Sequence, residues 1–233
     1  IPVLATASND HDGIPDAIES AAPNNGDGNG DGVADIEQDH VSSLPNTFGQ
    51  YVTLETEAGM RLVNVQAIEN TTGVTPTAGG ATLTFQQGFF SFLVENVPVG
   101  GAATVTLHLP PGHSATTYLK YGKLPGDFFL FPPHWYVFDF DGQTGAQFTG
   151  NKVVLHFVDG GRGDNVQTAD GTIADPGGPA LISLDDSGSS GGGCTLSRSP
   201  DRRTLPVDFG VLLLCLLALR QRLITTAVYR RRR

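Results

Sequence analysis

A chain of 233 residues with 39% hydrophobic residues is long enough for one domain with a substantial core, which excludes a wholly disordered protein. Its 30 glycines and 15 prolines favour short strands joined by tight turns over long helices. The net charge of −10 is unevenly distributed, because residues 1–197 carry 22 acidic against five basic side chains while residues 198–233 carry nine arginines against two aspartates. Such an acidic body repels phosphate, which excludes nucleic acid as its partner.

Residues 1–7 are predicted to be the end of a preceding region. The chain starts at Ile1 rather than at an initiator methionine, and IPVLATA is too short for the core of a signal peptide with a charged flank. We therefore expect the chain to be the C-terminal part of a longer protein.

Residues 8–39 are predicted to form two calcium-binding loops. In a calcium loop of about twelve residues, oxygen ligands alternate along the chain and a glycine allows the sharp turn. Gly13 and Gly32 both fit that glycine position. The predicted ligands are Ser8, Asp10, Asp12, the Ile14 carbonyl, Asp16 and Glu19 in the first loop, and Asp27, Asn29, Asp31, the Val33 carbonyl, Asp35 and Gln38 in the second.

The physical reason for this prediction is the repulsion between crowded carboxylates. At surface-like dielectric it amounts to about 1 to 4 kcal/mol per pair, and a divalent cation reverses its sign. Ser8 and Gln38 are weaker ligands than the acidic residues usual at these places, and Glu37 or Asp39 are alternatives to Gln38.

An acidic, glycine-rich flexible linker is the competing interpretation of residues 8–39. Apolar residues recur at matched places after each glycine, which a linker does not need: Ile14, Ile18, Val33 and Ile36. EF-hands are disfavoured, because Pro15 lies inside the first loop and the two loops leave no room for flanking helices.

Residues 44–182 are predicted to form an antiparallel β-sandwich of eight to nine strands, with a barrel as the alternative. Apolar and polar residues alternate in short segments, as in half-buried strands. These segments are 51–57, 61–68, 81–86, 89–97, 103–109, 116–122, 134–140 and 152–159. The glycine-containing stretches VPVGGAAT and FDGQTGA are predicted to be hairpin connections. The fold class is therefore mainly β, with N-terminal calcium loops and a short C-terminal apolar helix.

We expect no enzymatic activity, because the strand region carries no recognisable catalytic motif and its histidines are scattered singly. A carbohydrate-binding or adhesive module is the alternative. Its evidence is an aromatic-rich segment that offers ring faces to sugars, although core packing explains the same alternation. The aromatic residues are Phe131, Trp135, Tyr136, Phe138 and Phe140.

A glycine-rich stretch near the end of the strand region allows two interpretations. Its aspartates could hold a further cation, or the stretch could be a closing loop in which Arg162 pairs with a neighbouring aspartate; we favour the loop. The aspartates concerned are Asp159, Asp164, Asp170 and Asp175.

Residues 183–197 are predicted to be a Gly/Ser spacer, and residues 198–233 a sorting signal with a short apolar helix. The apolar run 209–219 falls short of the ~20 residues that span a bilayer. A cluster of arginines follows it and favours the cytoplasmic side. A simple membrane anchor is the alternative interpretation.

Several ordered motifs resemble known bacterial families. DGIPDAIE, NGDGNGDGVADIEQDHVSSLP, YLKYG, HWYVFDFDGQTGA and VVLHFVDGGRGD resemble the choice-of-anchor U domain over about residues 8–182, and the acidic loops resemble thrombospondin type three repeats. The order GGGC, apolar run and arginine cluster is similar to JDVT-CTERM sorting signals of Gram-negative bacteria.

These resemblances imply a module of an exported protein, held at the cell surface or the outer membrane, with its tail transiently in the inner membrane. They imply Ca²⁺ as the bound cofactor and a membrane-embedded sorting protease as a partner, with Cys194 as the processed residue. They supply no catalytic residues. A glycan or surface partner remains an open alternative.

Overall fold

The computed structural model describes residues 7–70, 72, 74–78, 81–127 and 131–183. This part of the chain forms two antiparallel β-sheets, which confirms the predicted mainly β fold and is consistent with a β-sandwich. The strands are β1 (Val41–Pro45), β2 (Tyr51–Thr56), β3 (Arg61–Ile68), β4 (Thr82–Thr84), β5 (Phe89–Glu95), β6 (Ala102–His108), β7 (Thr117–Gly122), β8 (His134–Val137), β9 (Gly145–Thr149), β10 (Lys152–Val158) and β11 (Ile173–Ser183).

Helical structure in the described residues is confined to short turns before β1. These are the helix α1 (Asp16–Glu19), the turn α2 (Pro23–Gly26), and a 3-10 turn over Asp35–Glu37. Asn24 and Asn25 inside α2 have positive φ angles, so that segment is not a regular right-handed helix. No helix in the described part of the chain is both long enough and apolar enough to cross a membrane.

One sheet has the order β1-β2-β6-β10-β9, and the other has the order β3-β5-β11-β7-β8, with β4 paired to the far end of β11. Alternating residues of each strand turn inward, as the pleat requires. On β10, for example, Val153, Leu155 and Phe157 are buried while their neighbours are partly exposed. Phe157 meets Phe92 of β5 edge to face, so side chains from the two sheets share one core.

The two predicted hairpins are wrong. VPVGGAAT leads from β5 to β6 and FDGQTGA leads from β8 to β9, and in both cases the two strands belong to different sheets. Their glycines provide tight turns, but the chain uses these turns to cross between layers. Local turn chemistry does not specify which strands pair.

Strand β11 contains Asp175 and the sequence PGGP after it, so the predicted closing loop is wrong for this last part of the glycine-rich stretch. Residues Ile173–Gly177 pair with β5, and Gly177–Ala180 pair with β7. Pro176 therefore lies where β11 pairs with β5 and not with β7. Pro179 lies where β11 pairs with β7 and not with β5. Proline lacks the N–H needed to pair on both sides, so a strand that changes its partner at Gly177 tolerates both prolines.

The segment before β1 is built into the edge of the sandwich. The backbone N–H of Val65 in β3 donates to the Asp12 carbonyl at 3.0 Å, and Leu62 N–H donates to the Asp39 carbonyl at 2.9 Å. Ile14 is buried in the same hydrophobic cluster as the strand residues. The acidic loops thus cover the edge strand β3. The predicted C-terminal spacer, the apolar helix and Cys194 lie outside the described residues.

Candidate metal centre

The first acidic loop brings three carboxyl groups together. Asp10 and Asp12 lie in the turn around Gly13, and α1 places Glu19 opposite them. One oxygen from each of the three lies within 4.8 Å of the others. All three side chains are buried, with Asp12 and Glu19 fully inaccessible to solvent. Of the sequence-predicted ligands of this loop, these are the ones that the fold gathers around a common point.

Each of the three carboxyl groups has one oxygen held by the protein and one without a partner. Asp10 Oδ1 accepts from the Ser8 hydroxyl at 3.0 Å, Asp12 Oδ1 from Ile14 N–H at 2.6 Å, and Glu19 Oε1 from Ser43 N–H at 3.2 Å. The other oxygens, Asp10 Oδ2, Asp12 Oδ2 and Glu19 Oε2, are buried without a hydrogen-bond partner. Buried acceptors without donors are costly, and a cation satisfies all three at once.

The electrostatics of the cluster agree with this geometry. Burial, reinforced by the nearby Asp12 and Asp10, raises the pKa of Glu19 to about 9. Burial also raises the pKa of Asp12 to about 6, despite the hydrogen bond from Ile14 N–H. The pKa of Asp10 is raised by burial as well. In the absence of a cation, the cluster therefore retains protons that isolated carboxyl groups lose.

The remaining predicted ligands of the first loop have other contacts. The Ser8 hydroxyl donates to Asp10 and, at 3.3 Å, to Asp12, so it orients the carboxylates. Asp16 Oδ1 accepts from Asn9 N–H at 2.8 Å and helps to close the loop. Ile14 contributes its N–H to Asp12 and its side chain to the core.

The second loop is arranged differently, because its own backbone satisfies its acidic side chains. Asp27 accepts from the N–H groups of Gly30, Asp31 and Gly32 at 2.8 to 3.0 Å. Asn29 Oδ1 accepts from Asp31 N–H at 3.2 Å. Nested N–H donors of this kind hold the loop in shape, and each of these oxygens already accepts at least one hydrogen bond.

The last predicted ligand of the second loop, Gln38, closes it through its amide. Its Nε2 donates to Asp31 Oδ1 at 3.2 Å and to the Val33 carbonyl at 3.3 Å. Asp31 also accepts from Val33 N–H, which lowers its pKa. The Gln38 amide N–H group therefore faces the predicted ligand oxygens of Asp31 and Val33. Gln38 must turn its amide oxygen inward before this loop can surround a cation.

Asp35 connects the second loop to the sandwich. It is fully buried, its pKa is raised by burial, and both of its oxygens accept from Gly28 N–H, at 3.2 and 3.0 Å. Gly28 lies so close to β1 and β2 that a Cβ atom there would come within 2.3 Å of the Ser43 hydroxyl and 2.1 Å of the Thr53 hydroxyl. The second loop is thus packed against the same strands as the first.

Sequence reasoning missed the residues that support the cluster from β1. Ser43 donates its N–H to Glu19, and the Ser42 hydroxyl lies beside Asp12 without a hydrogen-bond partner of its own among the described residues. Both serines are fully buried. Two consecutive buried serines in a strand break the usual alternation, and this is the signal that could have identified them.

The aspartates of the glycine-rich stretch do not gather into a cation cluster within the described residues. Asp159 accepts from Gly100 and Gly171 N–H groups, and Asp164 accepts from Gly160 N–H, each at 2.8 to 2.9 Å. Arg162 pairs with Asp141 at 3.1 Å, which is not an aspartate of its own loop. These carboxylates hold turns together, which matches the closing-loop interpretation for the residues before β11.

The aromatic segment divides between the two faces of its sheet. Tyr136 and Phe138 are buried in the core, whereas Phe131 and Phe140 are 57% and 39% exposed. Trp135 is half-buried on the opposite face from Tyr136, and its indole N–H donates to the Thr72 hydroxyl at 3.1 Å. Core packing therefore describes Tyr136 and Phe138, whereas surface exposure describes Phe131 and Phe140.

Comparison of the chain with protein-family models, with curated proteins and with solved structures finds no match.

Proposed function

We propose that this chain is a non-enzymatic calcium-binding module, which forms the C-terminal end of a longer exported bacterial protein and is anchored at the cell surface. Calcium binds the first acidic loop and fixes the N-terminal segment against the edge of the sandwich. The segment that precedes the sandwich is then held at a defined angle to it. The resemblance to thrombospondin type three repeats and to the choice-of-anchor U domain supports the cellular setting of this proposal.

The observation that carries the calcium proposal is the set of three buried, unpartnered carboxylate oxygens of Asp10, Asp12 and Glu19. Calcium takes six to eight oxygen ligands in flexible geometry, whereas Mg²⁺ requires near-octahedral geometry and retains several waters. A buried cluster of carboxylates backed by strand β1 suits the cation that sheds its water more readily. Thiol and imidazole ligands, which zinc prefers, are absent from this cluster.

The two loops are proposed to contribute unequally. In the first loop one oxygen of each clustered carboxyl group has no hydrogen-bond partner, whereas Gln38 and the backbone already donate to the oxygens of the second loop. We expect the first loop to bind more tightly. Affinities of extracellular calcium modules, roughly 10⁻⁴ to 10⁻³ M, suffice for this role.

Calcium titration by calorimetry tests the proposal. The full chain is expected to bind calcium, and Asp12→Asn is expected to weaken the tighter site at least about tenfold, because it removes a charged ligand while keeping the shape of the side chain. Asp31→Asn is expected to affect only the weaker site.

Asp141→Asn serves as the matched control, since Asp141 pairs with Arg162 far from the loops. Its calcium binding should equal that of the parent protein. If the parent chain releases no heat on calcium addition and its thermal stability does not change, the calcium proposal is wrong.

The anchoring part of the proposal concerns residues 184–233, which lie outside the described part of the chain. By the resemblance of the tail to JDVT-CTERM signals, a membrane-embedded protease cleaves near Cys194 and discards the arginine-rich end. Mass spectrometry of the mature protein from its native host is expected to show a new C-terminus near Cys194. A mature surface form that ends at Arg233 would make the tail a simple anchor, and unaltered processing of Cys194→Ala would remove this residue from the mechanism.

A further inference from the structure

A second candidate site lies on the outer face of the β3-β5-β11-β7-β8 sheet, away from the acidic loops. It is a cavity of about 180 Å³, and its walls are the rings of Phe89, Tyr121 and Trp135. Pro176 and Gly177 of β11 line the cavity. Glu69, on the loop after β3, also lines it. Phe89, Tyr121 and Trp135 come from three different strands, so the sheet itself sets their spacing.

The three rings form a curved aromatic wall. Trp135 lies between the other two, with ring centroids 5.1 Å from Phe89 and 5.3 Å from Tyr121. The ring planes are inclined by 44° and 56°, so the rings are not stacked flat on one another. Phe89 packs beside Gly178, where a Cβ atom would come within 2.8 Å of the ring. Glycine at that position is therefore required for the wall to have this shape.

The neutral polar groups on the loop beside the cavity are already paired. The Trp135 indole N–H donates to the Thr72 hydroxyl, which in turn donates to Asn70 Oδ1 at 2.7 Å. The Asn70 amide nitrogen donates to the Val74 carbonyl at 2.9 Å. Among the residues that the structure describes, Glu69 has no hydrogen-bond or ion-pair partner. It is exposed and carries the one negative charge of the cavity lining.

An aromatic wall, paired neutral groups and one unpaired carboxylate together favour one of two classes of ligand. A sugar ring carries several hydroxyl groups, and most of them would lose water here without gaining a partner, at a cost for each. A quaternary ammonium group has no hydrogen bonds to satisfy. Its diffuse positive charge is attracted both to aromatic faces and to a carboxylate. The acidic body of the protein adds long-range attraction for cations.

We propose that this cavity binds a quaternary ammonium group of the choline type, with Tyr121 and Trp135 as the aromatic contacts and Glu69 as the counter-ion. The site is separate from the acidic cluster, so its occupation does not require calcium. The site would give the module a ligand besides calcium. It changes the adhesive alternative, because the expected ligand is a methylated cation and not a neutral sugar.

Trp135 is the single tryptophan of the chain, so its fluorescence reports directly on the cavity. The full chain is titrated with choline, with the uncharged carbon isostere of choline, and with methyl glucoside, each in excess calcium and again with a chelator. Choline is expected to produce a saturable change in emission under both conditions. The carbon isostere is expected to bind roughly tenfold more weakly, because it keeps the shape and loses the charge.

Two variants test the assigned roles. Glu69→Gln and Tyr121→Leu should each weaken choline binding by roughly tenfold, and circular dichroism checks that they fold. Glu95→Gln is the matched control, because Glu95 pairs with Arg61 on β3 and does not line the cavity; it should bind choline normally. Equal binding of the carbon isostere, a response to methyl glucoside alone, or no saturable response to choline would each overturn the proposal.

Discussion

Lys120→Met is expected to destabilise the folded domain by about 3 to 5 kcal/mol, because it leaves a buried carboxylate without its partner. Lys120 and Asp175 form an ion pair in the core, where their side chains are 1% and 0% exposed. The Tyr118 hydroxyl donates to the other Asp175 oxygen at 2.7 Å. The Lys120 ammonium also lies 5.3 and 5.1 Å from the ring centroids of Phe138 and Phe157.

Urea unfolding in the presence of excess calcium measures this effect. Lys152→Met is the matched control, since Lys152 is exposed on β10, and it should change stability by no more than about 0.5 kcal/mol. Replacing the whole network by apolar residues, as Lys120→Met, Asp175→Leu and Tyr118→Phe together, should recover most of the loss. A single Lys120→Met variant as stable as the parent would show that the pair carries no net charge interaction.

Without calcium, the stability of the protein is expected to fall as the pH rises from about 5 to 9. The folded state holds a proton on Glu19 up to a pKa of about 9, whereas the unfolded chain loses it near the ordinary value of 4.5. Within this window the folded state binds more protons than the unfolded state, so the free energy of unfolding decreases with pH. The slope for one proton is at most about 1.4 kcal/mol per pH unit.

Glu19→Gln is the most informative variant for testing this prediction. Glutamine resembles the protonated side chain and needs no proton on folding, whereas the parent must take one up at pH 7. The metal-free variant should therefore be more stable at pH 7 than the metal-free parent, and its stability should vary less with pH. Calcium should stabilise the parent, by about 2.7 kcal/mol when its concentration is one hundred times the dissociation constant, and should stabilise the variant less, because only the second loop keeps all of its ligands. Thermal unfolding with and without a chelator measures both; a metal-free parent whose stability rises across this pH range would contradict the assignment.

The strand region was largely predictable, because most strands alternate between buried and exposed residues. The predicted segment 61–68 coincides with β3, and the predicted segments 152–159 and 51–57 each exceed β10 and β2 by one residue. The alternation is visible because one face of each strand meets the core. Segment 134–140 was predicted too long, since β8 ends at Val137 before the chain crosses to the other sheet.

The described residues form eleven strands, so the predicted number of eight to nine is wrong. The missed strands are β1, β9 and β11, and they lack a regular alternation. In β11, Pro176, Gly177 and Gly178 replace the usual branched residues, because Tyr118 and Phe89 leave no room for a Cβ atom at the two glycines. In β1, the consecutive buried residues Ser42 and Ser43 face the acidic loops and the interior. In both strands tertiary contacts outweigh intrinsic propensity.

The site was predictable in part. The spacing around Gly13 identified Asp10, Asp12 and Glu19, the three residues whose carboxyl groups meet. The same spacing around Gly32 could not show that the second loop is closed by its own donors, since Gln38 can present either an oxygen or an N–H group. The loops differ in which matched side chains are buried, since Asp12 is buried and Asp31 is exposed, and a local pattern does not contain this information.

The central place of β11 has a consequence for when this domain can fold. Ile173 pairs with Val94 of β5, and Gly178 pairs with Leu119 of β7, so the last strand of the described chain separates two strands made much earlier. During synthesis, β5 and β7 have no neighbour between them until β11 emerges. The packing of the core on this side of the sheet can therefore be completed only after the last strand of the described chain has been made.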